Sequence, residues 1–98
     1  MEVKPILSFG FDISLYEDEV KMKGYCNDIL VILPDFTKFK VCFYDPIRLS
    51  QDLEDEGYIA EPGLIVIKDV TRSNMERTVY ELWLDGFFDS LMPLKTAD

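Results

Sequence analysis

Apolar positions along this chain follow one rhythm up to residue 44 and another beyond it. Phe9, Phe11, Ile13 and Leu15 alternate with Asp12, Ser14 and Tyr16, the period-two signature of a half-buried strand. The acidic triplet Glu17-Asp18-Glu19 then reads as a turn. Val20–Tyr25 reads as the returning strand, with Lys21 and Lys23 outward, and Asn27-Asp28 as another turn. Ile29–Leu33 is a continuous apolar run and predicts a central strand. After Pro34-Asp35, Thr37, Phe39, Val41 and Phe43 alternate with Lys38, Lys40, Cys42 and Tyr44. Four strands joined by short turns predict an antiparallel meander.

Helical spacing begins at Asp45. Asp45-Pro46 supplies an N-cap acceptor followed by proline at the first helical position. Ile47, Leu49 and Leu53 form an apolar stripe, and Gly57 is the stop. Leu64–Ile67, after Pro62-Gly63, predicts a fifth strand. Ser73-x-x-Glu76 has the spacing of a capping box ahead of Met75, Val79, Leu82 and Trp83, so Ser73–Asp85 is expected to be helical. The apolar tail Phe87–Leu94 follows. The expected fold is therefore α+β: a mostly antiparallel five-stranded sheet in the order ββββαβα, with two helices on one face. The late strand–helix–strand unit should add one parallel pair.

This pattern leaves too few helices for the apolar surface. Ile29, Val31 and Leu33 face opposite to Leu30 and Ile32, and Leu64 and Val66 opposite to Ile65 and Ile67. One set should sit on an uncovered face, where either the tail or a second copy of the chain would cover it. Self-association through the sheet, as a homodimer, is the expectation.

Composition bounds the rest. The chain has 98 residues, which fit a single domain over 1–98, and 48% of them are apolar, enough for a packed core. A net charge of −9 argues against nucleic-acid binding, which relies on Lys and Arg to neutralise phosphates. No apolar run approaches the ~20 residues of a membrane span. Met1-Glu2-Val3-Lys4-Pro5 does not resemble the start of a secretory leader, so a cytoplasmic protein is expected. Charge is uneven: residues 1–44 carry −2 and residues 45–98 carry −7, a lysine-dotted sheet against an acidic helical half.

Candidate chemistry is sparse. Histidine is absent, which removes the commonest base, metal ligand and nucleophile partner. No glycine-rich phosphate cradle occurs. Cys26 and Cys42 match no zinc spacing and read as small buried hydrophobes. No catalytic, cofactor-binding or metal site is therefore expected. Asp52, Glu54, Asp55 and Glu56 crowd one helix end, where carboxylates oppose the macrodipole. The plain reading is a solvated acidic face, and the functional one a partner-binding surface. A non-catalytic interaction module binding a protein partner or itself is the leading expectation. One alternative is a small acidic inhibitor of the immunity-protein kind, its carboxylates filling the basic site of a toxin or nuclease. Another is a carboxylate- or cysteine-dependent enzyme, or a ligand carrier, with a pocket lined by Tyr44, Tyr58, Tyr80 and Trp83.

Overall fold

A computed structural model describes residues 4–91. Along the chain run β1 (Ile6–Ser8), α1 (Ile13–Lys23), β2 (Tyr25–Ile32), β3 (Lys38–Tyr44), α2 (Pro46–Glu56), β4 (Leu64–Val66) and α3 (Arg72–Leu84), then a 3-10 turn at Phe87–Ser90. The fold is α+β, with one mixed sheet in the order β1-β2-β3-β4. β1–β2 and β2–β3 are antiparallel, and β3–β4 is the expected parallel pair. Among the described residues the sheet has four strands rather than five, and the order is βαββαβα rather than ββββαβα.

The correction lies in the first third of the chain. The predicted strands Phe9–Tyr16 and Val20–Tyr25, with their Glu17–Glu19 turn, give way to α1. Asp12 caps its start by accepting from the Ser14 backbone N–H at 3.1 Å. Gly24 closes it in the left-handed region, its N–H donating to the Val20 carbonyl at 3.0 Å. Only Ile13 and Val20, seven residues apart on one helical face, are buried from α1. Phe11 and Leu15 are exposed, so their alternation was not a burial pattern. The helix kinks at Tyr16. Asn27-Asp28, predicted as a turn, forms a β-bulge inside β2, with Asp28 at φ 58°. β1 was not anticipated.

The second half follows its sequence signals closely. Asp45 caps α2, accepting from the Arg48 N–H at 2.7 Å, and Gly57 ends it at φ 84°. α3 starts one residue before Ser73, because Thr71 rather than Ser73 is the cap, accepting from the Asn74 N–H at 3.3 Å. Glu76 pairs with Arg72 at 3.6 Å instead of closing a capping box. Gly63 permits the approach of β4. It sits at φ 79°, its carbonyl accepts from the Cys42 N–H at 3.1 Å, and a Cβ there would strike the Lys40 carbonyl.

Register assigns each side chain to a face. On the first face lie Cys26, Ile29, Val31, Phe39, Val41, Phe43 and Ile65, all buried. They join Ile13 and Val20 of α1, Met75 and Val79 of α3, Val70 and Phe88 in one core cluster. Each full burial there contributes roughly 1.5–3 kcal/mol. The Arg72 backbone N–H donates to Glu17 Oε1 at 3.2 Å, tying the start of α3 to α1. Helices thus occupy both faces, contrary to the expectation that they share one: α1 and α3 cover the first, and α2 lies against the second. The described part of the tail also belongs to the first face, with the Phe88 and Phe39 rings 5.2 Å apart. It does not cover the second face. Met92–Leu94 lie outside the described residues.

Candidate functional site

The second face carries two unlike halves. At the end near the β2–β3 hairpin, Ile6, Ile32 and Lys38 lie in one cross-strand row and Ser8, Leu30 and Lys40 in the next. Ile6 is 62% exposed, Leu30 and Ile32 are half-buried, and both lysines are exposed. Lys40 pairs with Asp28 at 2.9 Å. The apolar set expected to lie uncovered is this one on β2, while Val66 of β4, 45% exposed, lies on the same face at the other end, beside Tyr44. Alternation along β2 and β3 sends Leu30, Ile32 and Lys38 away from the core.

At the other end, Tyr25 and Tyr44 face each other across β2 and β3 with ring centroids 4.9 Å apart. Helix α2 meets them with one stripe of side chains. The Arg48 guanidinium stands 5.3 Å over the Tyr25 ring, and its Nε donates to Asp52 Oδ1 at 3.0 Å. Asp52, Glu56, Tyr58 and Glu61 complete a groove of about 480 Å³ over the two tyrosines. Three carboxylates and one guanidinium therefore line the groove, and Asp52 is the carboxylate that pairs with Arg48. Below the groove, the Cys42 thiol donates to Glu61 Oε2 at 3.2 Å.

Titration follows this burial. Burial first, then Tyr25 and Asp52, push the Tyr44 hydroxyl up to about 12. Burial and Glu61 raise Tyr25. Burial and the Glu61 hydrogen bond push the Cys42 thiol up to about 12, and burial alone takes Cys26 to about 11. Both thiols are therefore protonated at neutral pH and lack the thiolate character of a nucleophile. What the groove offers is carboxylate acceptors and aromatic faces, the chemistry that receives a cation. Among the described residues no three His, Cys, Asp or Glu side chains gather to hold a metal ion, and no helix is long and apolar enough to cross a membrane.

The structure divides the acidic cluster read from the sequence. Asp52 and Glu56 enter the groove, and Asp52 is half-buried by its pairing with Arg48 rather than exposed. Glu54 and Asp55 are exposed outside it. The four aromatics proposed to share a pocket are also divided. Tyr44 and Tyr58 line the groove, whereas Tyr80 and Trp83 stack on each other along α3, 6.0 Å apart. Tyr25 and Glu61 were missed. The sequence pattern puts Tyr25 at the end of a predicted strand where the structure has α1, and Glu61 comes in through the conformation of the 57–63 connection. Comparison with protein-family models, with curated proteins and with solved structures finds no match for this chain.

Proposed function

We propose that this protein is a non-catalytic interaction module that works in the cytoplasm and binds another copy of itself through the second face of its sheet. The observation that carries the reading is the bare half of that face, where Ile6, Leu30 and Ile32 have no helix over them among the described residues. Contiguous apolar side chains left partly exposed in this way mark interfaces. A two-fold pairing lets one patch meet itself. Light scattering at micromolar concentration tests it. The expected result is twice the chain mass for the protein and a single chain mass for Ile32→Lys, with unchanged circular dichroism. A single chain mass for the unmodified protein would overturn self-association.

A second reading rests on the groove. Asp52, Glu56 and Glu61 with the faces of Tyr25, Tyr44 and Tyr58 suit the arginine or lysine side chains of a basic protein, as in a small acidic inhibitor of a toxin or nuclease. This reading takes over where the protein is a monomer in solution.

A further inference from the structure

Helix α2 is the least buried helix of this fold and is two-sided. None of its eleven residues is buried. Arg48, Asp52 and Glu56 face the groove, and at 100° per residue the opposite stripe holds Ile47 and Glu54, seven residues apart. Ile47 is 70% exposed and Glu54 is exposed too. The helix thus shows solvent an isoleucine and, two turns further along the same stripe, a carboxylate. The bare half of the second face shows the converse, Ile6, Leu30 and Ile32 beside Lys38. Among the described residues neither Lys38 nor Glu54 has a salt-bridge partner, whereas Lys40 and Asp52 both do.

We propose that two copies pair about a two-fold axis so that α2 of each, through Ile47 and Glu54, lies on the bare half of the other's second face, against Ile32 and Lys38. An axis lying between the two faces and crossing the strands exchanges the two ends of the sheet. It brings the helix-bearing end of one copy over the bare end of the other, twice. Apolar surface then meets apolar surface, and each Glu54 meets the partner copy's Lys38. The pairing that sets lysine on lysine, with the two bare halves face to face, is disfavoured by like charge. This rests on the self-association proposed above and specifies which surfaces meet.

Charge reversal tests it. Lys38→Glu and Glu54→Lys each place two like-charged pairs in one dimer, and each should weaken it by roughly ten- to a hundredfold. Mixed in equal amounts, the two variants should pair as a heterodimer, which holds one native and one reversed ion pair. The double variant should recover self-association. Both positions are exposed, and circular dichroism checks that the fold is kept. Dimers that persist in both single variants, or single variants that stay apart on mixing, would overturn this arrangement. If Ile32→Lys still breaks the dimer in that case, self-association through the face stands. A monomeric unmodified protein overturns both.

Discussion

The two faces of one sheet here are made from the same strands and differ sharply in burial and chemistry. On the first, Ile29, Val31, Val41 and Phe43 are all but completely buried, and Met75 and Val79 of α3 are buried against them. On the second, each next residue along the same strands is lysine, tyrosine, cysteine or a half-buried aliphatic. Stability comes from the first face, where burial is complete and continuous. The second contributes less, and it holds most of what is chemically distinctive: the tyrosine pair, the groove carboxylates and the bare aliphatic rows. A chain altered only on the second face would still fold. One that lost packing on the first would not.

The largest expected effect breaks this comparison most directly. Phe43→Ala, on the first face, should destabilise the protein by about 3–5 kcal/mol, because the ring is fully buried and its removal leaves a cavity. Leu30→Ala, on the second face of the neighbouring strand, should cost only about 1 kcal/mol, since its side chain is half-exposed already. Denaturant melts of dilute protein would measure both. Equal losses would mean that the second face is packed in the folded chain, contrary to the division drawn above.

That division was partly legible in the sequence. The excess of two-sided apolar strands over helices to cover them is visible in Ile29–Leu33, and Asp45-Pro46 with Gly57 bounded α2 almost to the residue. What misled was the first third. Phe9, Phe11, Ile13 and Leu15 alternate by coincidence, and the caps at Asp12 and Gly24, equally present in the sequence, decide for helix. With a strand there, α2 and α3 are the only helices the pattern offers, and both are expected on one face. The groove was half legible: Asp52 and Glu56 stand four apart on α2, as the acidic helix end suggested. Tyr25 depends on pairing register, and Glu61 on the course of a connection, neither of which has a local signature.

The cysteines extend the comparison to pH, one on each face. Both thiols are held above the ordinary value of 9.0: Cys26, on the first face, to about 11 by burial, and Cys42, on the second, to about 12 by burial with Glu61 added. A raised pKa in the folded state stabilises the protein below the unfolded value. That contribution is lost as pH rises through the folded one. Stability from these groups should therefore be constant to about pH 9 and fall between there and pH 12, an intermediate effect seen as alkaline unfolding. Alkylation of both thiols should be slow at neutral pH. Glu61→Gln removes a charge from one face only, so it should lower the titration of Cys42 and leave Cys26 in place. Ultraviolet titration of the thiolates in Cys26→Ala and Cys42→Ala backgrounds would separate the two, and equal shifts would refute the role of Glu61.

The smallest effect belongs to the hairpin tip that borders the bare half. Two non-glycine residues of β2 and the following turn have positive φ, Asp28 at 58° and Phe36 at 69°. Aspartate tolerates this region because its short side chain can hydrogen-bond locally, but phenylalanine gains nothing there and the left-handed conformation costs about 1–2 kcal/mol. Phe36 closes the turn by donating its N–H to the Leu33 carbonyl at 2.8 Å, the position that glycine usually takes in such loops. Phe36 is 81% exposed, so burial does not offset the strain. Phe36→Gly should therefore raise stability, by about 0.5–1 kcal/mol after allowing for the entropy that glycine gives the unfolded chain. Phe36→Asn, which keeps a side chain and tolerates the conformation, should do at least as well. Thermal melts of the two variants beside the unmodified protein decide it: lower midpoints in both would show that the phenyl ring makes contacts worth more than the strain.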